Sequence, residues 1–96
     1  MNIKGAVAVV TGAASGIARS LAQELVNRGA KALALVDHSP AVHEIAEGLN
    51  KAAGFAVAKG YSGDVTDVNF RGSVYGELHQ QHGMVNICVP AAGITR

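Results

Sequence analysis

Four apolar residues on consecutive positions, Val7, Ala8, Val9 and Val10, lead into a turn of small residues and then into a helical repeat. A strand wet on one face would alternate apolar with polar residues. An unbroken run instead predicts a strand covered on both faces, as in a parallel sheet. From Ile17 the period changes: Ile17, Leu21 and Leu25 recur every four residues, with Ala18, Ala22 and Val26 beside them, which predicts a helix with one apolar stripe. Between the two lie Thr11, Gly12, Ala13, Ala14, Ser15 and Gly16. These are small enough to let a ligand reach the backbone where a helix begins. Unpaired N–H groups and the positive end of the helix dipole lie there, so an anionic phosphate is the group such a turn would hold.

The same alternation repeats along the chain. Residues 27–31 are a polar break in which Gly29 can end the first helix. A second apolar run at 32–36 is closed by Asp37, and Ser39 before Pro40 reads as N-cap and first helical residue. Val42, Ile45, Ala46, Leu49 and Ala53 keep helical spacing, while His43, Glu44, Glu47, Asn50 and Lys51 take the other side, and Gly54 ends the segment. Residues 55–61 are a weaker strand suited to an edge. Thr66 or Asp67 is placed to cap a third helix running to about Gln81, with Phe70, Val74 and Leu78 as its buried line. A fourth strand at 85–89 ends in Pro90, Ala91, Ala92 and Gly93. The order β-α-β-α-β-α-β predicts an α/β fold of one domain over residues 1–96: a parallel sheet, strand order 3-2-1-4, with helices on both faces.

Composition removes several functions. A net charge of +1, with 16% charged residues of interspersed sign, offers no basic stripe for nucleic acid and no polybasic run for a membrane. Although 49% of residues are apolar, Lys31, Asp37 and clustered polar residues break every run well before membrane-spanning length, and the start MNIKG lacks a secretory signal. A lone Cys88 cannot form an internal disulfide, which fits a reducing cytoplasm, and its apolar strand predicts a small core residue. His38 and His43 flank a proline turn and share no face, so no metal site is expected.

In an open parallel sheet the ligand crevice lies beyond the carboxyl ends of the strands where the strand order reverses, here between the first and fourth. Four turns converge there: residues 11–16, Asp37 with His38, Asp64 with Val65, and residues 90–93. Gly12 and Gly16 admit two readings, a phosphate turn or close packing of strand on helix. Asp37 lies 19 positions beyond Ala18, where a carboxylate can accept both hydroxyl hydrogens of an adenosine ribose; the plainer reading is a solvated acid at a strand end. A Walker phosphate loop does not fit, because Gly16 is followed by Ile17 and Ala18 rather than by lysine and a hydroxyl residue.

Taken together, TGAASGIA, the pair Val36 and Asp37, the pair Asp64 and Val65, and the ending AAGITR resemble the amino-terminal half of a short-chain dehydrogenase/reductase. The resemblance implies a Rossmann-type NAD(P)-binding domain. Gly12, Ser15, Gly16 and Ile17 would border the pyrophosphate and Asp37 would bind the adenosine ribose. Asp64 and Val65 would border the adenine, and Ala91, Ala92 and Gly93 the nicotinamide-side ribose.

Three departures stand out. Ala18 replaces the last glycine of the family's turn, and Pro90 and Ala91 replace two asparagines. No Tyr-x-x-x-Lys can be read, since Tyr61 is followed four residues later by Val65 and Tyr75 by His79. The resemblance therefore implies the cofactor half of an oxidoreductase, truncated before the catalytic half, with these 96 residues inactive by themselves. NAD is expected over NADP, because a 2′-phosphate would meet Asp37 and Ser15 occupies the family's usual basic position. A stand-alone nucleotide-binding or structural module is the alternative. The apolar fourth strand, left on an edge, predicts self-association.

Overall fold

The computed structural model describes residues 3–90. Strands β1 (Val7–Thr11), β2 (Ala32–Asp37), β3 (Ala58–Ser62) and β4 (Ile87–Pro90) form one parallel sheet in the order β3-β2-β1-β4. Helices α1 (Gly16–Asn27), α2 (Ala41–Ala53) and α3 (Val68–His82) are the crossovers. Thr11 pairs with Val36 on one side and Pro90 on the other, and Asp37 pairs with Ser62. Architecture and strand order are those expected from the sequence.

The unbroken apolar runs are explained by two cores, one on each face. Ala8 and Val10 of β1 and Leu33 and Leu35 of β2 pack with Ala18, Ala22 and Leu25 of α1 and Val42, Ala46 and Leu49 of α2. The alternate residues Val7, Val9, Ala32, Ala34 and Val36 pack on Val74 and Leu78 of α3. Each buried Val or Leu stabilises the sheet by about 1.5–3 kcal/mol, so neither face tolerates a polar residue. Gly54 and Gly83 end α2 and α3 as expected. Among the described residues, no helix is long and apolar enough to cross a membrane.

Several local expectations are corrected. Ile17 is 45% exposed, and the buried stripe of α1 is Ala18, Ala22 and Leu25. Helix α2 starts at Ala41 with Pro40 in the capping position, although Ser39 Oγ still accepts the Ala41 amide at 3.2 Å. Of the two candidate caps of α3 it is Asp67 that serves, accepting the amides of Asn69 and Phe70.

Asn50 does not belong to a solvent face. Its carboxamide accepts the Ala58 N–H at 2.7 Å and donates to the Ala58 carbonyl at 2.9 Å, so β3 begins at Ala58 rather than Phe55. Similarly, Asn86 exchanges bonds with Val7, its Oδ1 accepting the Val7 amide at 2.8 Å and its own amide donating to Val7 O at 2.9 Å. Regular pairing of β4 starts one residue later, at Ile87. Cys88 is exposed rather than buried, because among the described residues β4 is an outer strand; its Sγ lies 3.2 Å from the Tyr75 hydroxyl.

Candidate functional site

Beyond the carboxyl ends of β1, β2 and β3 lies a cavity of about 330 Å³ lined by Gly12, Ser15, Asp37, His38, Gly63, Asp64 and Val65. Three turns far apart in sequence are thus brought to one place. Gly12, at φ 68, takes the left-handed conformation that turns the chain out of β1. The turn is then hooked over the end of β2: Ala13 N–H donates to Val36 O at 3.1 Å, and Ser15 N–H donates back to Gly12 O at 3.2 Å.

Ser15 caps α1, its Oγ accepting the Ala18 amide at 3.2 Å. The first turn of a helix has no intrahelical acceptors for its amides. With Ala18 capped, those of Gly16 and Ile17 are the groups left for an anion. A Cβ placed on Gly16 would meet nothing within 4 Å, so strand–helix packing does not require glycine there.

Asp37 is the most constrained polar group of the site and is only 8% exposed. Its Oδ2 accepts the Ala14 amide at 3.1 Å and its Oδ1 the Ser39 amide at 2.9 Å, with His38 Nδ1 3.2 Å from Oδ1. A solvated strand-end acid would not be held in this way. Each carboxylate oxygen accepts about two hydrogen bonds, so Oδ2, with the Ala14 amide as its one donor, retains capacity for a hydroxyl, while Oδ1 already has the Ser39 amide and His38 Nδ1 beside it.

Asp64 is exposed, and its Oδ1 accepts the Thr66 hydroxyl at 2.7 Å and the Thr66 amide at 2.9 Å. The hydroxyl bond, then the amide bond, hold its carboxyl below the usual carboxylate range, helped by the nearby His38 and opposed by slight desolvation. Val65 supplies an apolar wall and also packs against the α3 core. A Cβ on Gly63 would lie 2.5 Å from Cε1 of Phe70, so any larger residue there requires that ring to shift.

The remaining expected residues fall elsewhere. Gly16 borders a larger groove of about 450 Å³ between α1 and α2, with Arg19 and Glu44 on its walls. None of the other expected residues lies there, so the smaller cavity is the better candidate. Ile17 borders neither space; only its amide bears on the turn. Ala18 is wholly buried in the α1 core, where its methyl is accommodated. Ala91, Ala92 and Gly93 lie outside the described residues. Sequence reasoning set His38 in a turn at the crevice without giving it a role, and missed Gly63 as a lining residue. The signal for Gly63 was adjacency, since it stands next to Asp64 just past a strand end.

An apolar wall, a fixed acceptor at a strand end and free amides at a helix start suit a ribose joined to a phosphate. Over all 96 residues the chain is 38% identical to the 3-oxoacyl-(acyl-carrier-protein) reductase FabG of Escherichia coli (strain K12), covering 37% of that protein. Its fold matches that of a short chain dehydrogenase/reductase from Burkholderia phymatum in complex with NAD, with TM-score 0.80 and 28% identity over 92% of this chain and 31% of that one. An NADPH-dependent 3-quinuclidinone reductase from Rhodotorula rubra also matches, with TM-score 0.77 and 24% identity over 91% of this chain and 32% of that one; this likeness shows the fold alone. The chain thus spans well under half the length of the proteins it matches. Residues 6–96 match the short chain dehydrogenase profile, and together with the sheet order and the paired glycine turn and acid this places the chain in the short-chain dehydrogenase/reductase family.

Proposed function

We propose that this chain is the NAD(H)-binding portion of an oxidoreductase that moves hydride between a nicotinamide and an alcohol or ketone in the full-length protein. The observation that carries the reading is the convergence of Gly12, Ser15, Asp37, Asp64 and Val65 on one cavity. Asp37 accepts the hydroxyls of the adenosine ribose, and the first-turn amides of Gly16 and Ile17 hold the pyrophosphate. Val65 and Asp64 border the adenine, and Ala91, Ala92 and Gly93 the second ribose. The bound nicotinamide supplies the hydride donor or acceptor; the residues of this chain bind and orient it. The preference for NAD follows from Asp37, whose carboxylate repels a 2′-phosphate. Calorimetric titration with both dinucleotides tests it: tighter NADP(H) binding overturns the assignment of Asp37.

A second reading, a nucleotide-binding module without turnover, is favoured by one feature of these 96 residues, the lack of any Tyr-x-x-x-Lys. That pair is what would move a proton at a carbonyl oxygen. Reduction of NAD by this chain with a panel of alcohols would exclude the second reading. We also propose self-association, since β4 is paired on one side only among the described residues.

A further inference from the structure

The inference that follows rests on the dinucleotide reading. Val65, the apolar wall of the site, borders two spaces at once: the site's own cavity and a second one of about 40 Å³ between the sheet and α3. Val9, Val36, Phe70 and Val74 enclose that second space with it. Protein interiors are close-packed, and a side chain with a void beside it forgoes contacts on that side. Packing on the sheet alone therefore does not fix where the wall stands.

The remaining support comes from Phe70, half-buried in the first turn of α3. A Cβ on Gly63 would have three atoms of this ring, Cε1, Cδ1 and Cζ, at 2.5, 2.7 and 2.7 Å, so the ring lies directly against the Gly63 backbone. Gly63 is not held in the left-handed conformation, and its N–H donates to the Asp37 carbonyl at 3.0 Å. Further along, the Asp67 N–H donates to the Asp64 carbonyl at 3.0 Å, and Asp67 Oδ1 accepts the Asn69 and Phe70 amides. The segment from 63 to 70 is thus folded back so that its last side chain meets its first residue, with Val65 between them.

We propose that Phe70 is a positioning residue for the base: its ring, wedged between Gly63 and the void, sets how closely Val65 stands to a bound adenine. Phe70 itself lines no part of the site's cavity. A smaller side chain at this position adds its lost volume to the void, and Val65 recedes from the base.

The test is calorimetric titration with NAD and with nicotinamide cytosine dinucleotide, in which a smaller base replaces adenine. Ribose and pyrophosphate contacts cancel in the ratio of the two affinities, which leaves the wall. In Phe70→Leu the ratio of NAD to cytosine-analogue affinity is expected to fall about three- to tenfold, up to the effect of one methylene in a pocket. Adenine loses a wall that cytosine reaches less. Gly63→Ala, whose methyl displaces the same ring from the loop side, should lower the ratio as well. Leu78→Val trims the same α3 core but borders neither cavity; it should lower Tm and leave the ratio unchanged. A ratio that does not fall in either Phe70→Leu or Gly63→Ala, or an equal fall in Leu78→Val, overturns the proposal and leaves the cofactor reading standing. Failure of the wild-type chain to bind NAD removes the cofactor reading and this proposal with it.

Discussion

Asp37 Oδ2 accepts the backbone amide of Ala14 at 3.1 Å, across 23 positions of sequence. The acid proposed to bind the ribose is therefore also the group that fixes the glycine turn. Asp37→Asn keeps one acceptor oxygen but sets an NH₂ against one of two backbone amides. A loss of about 1–3 kcal/mol is expected, lowering Tm by about 4–8 °C per kcal/mol for a chain of this size. NAD affinity should fall at least about tenfold, the loss of one charge-assisted bond. Thermal unfolding and calorimetry on the same variant separate the two roles: a lower Tm with unchanged NAD affinity leaves Asp37 a clamp alone.

Gly16 and Gly60 should respond oppositely to alanine. At Gly60 the new Cβ would lie 2.7 Å from the carbonyl oxygen of Val42, in the backbone entering α2. That contact cannot relax by a rotamer change, so Gly60→Ala should cost about 1–3 kcal/mol. At Gly16 a Cβ meets no atom within 4 Å, and alanine at a helical position is favoured over glycine by up to about 1 kcal/mol. Gly16→Ala should therefore melt no lower than the wild type while binding dinucleotide more weakly. Unchanged affinity in this variant would show that no ligand approaches the backbone there.

The pH dependence of the loop after β3 follows from Asp64, whose carboxyl is held below its usual range by the Thr66 hydroxyl and amide. A group with a depressed folded-state pKa contributes stability that is fully present above its unfolded value, near 4, and is lost as pH falls through the folded value. Thr66→Val removes the hydroxyl bond and should move the Asp64 titration back toward the ordinary range. Carbon-detected NMR of the side-chain carboxyl reads this directly; an unmoved midpoint would assign the depression to other groups.

Self-association is checked by sedimentation velocity over a wide concentration range. If chains associate as proposed, the sedimentation coefficient rises reversibly with concentration, because among the described residues β4 is paired on one side only. A single monomeric species at the highest concentration would overturn it.

The elements were legible because burial on two faces leaves a plain mark: Val7 to Val10 and 32–36 read as strands before any pairing is known. Strand order followed from alternation and right-handed crossovers. What the sequence concealed were roles set by distant partners. Asn50 has helical spacing on a polar face, and only the position of Ala58 shows that its carboxamide serves the sheet. Cys88 reads as core by its neighbours in sequence, whereas its exposure depends on what lies beside β4. Ile17 illustrates the limit of periodicity, since the neighbouring alanine faces the sheet instead. Of the site, Gly12, Ser15, Asp37, His38, Asp64 and Val65 stand in turns that the sequence already set at the crevice, while the backbone amides of Ala14 and Ser39 that hold Asp37 came into view only with the fold.

The bonds between Asn50 and Ala58 act as a ruler for the far end of β3. A strand advances about 3.3 Å per residue, and a slip of one residue turns every side chain to the opposite face. Pinning Ala58 sets Ser62 opposite Asp37, and two residues later the chain delivers Asp64 to the cavity. Phasing at the amino end of an edge strand thus decides which carboxylate arrives at the other end, and a carboxamide lining no part of the cavity determines its composition.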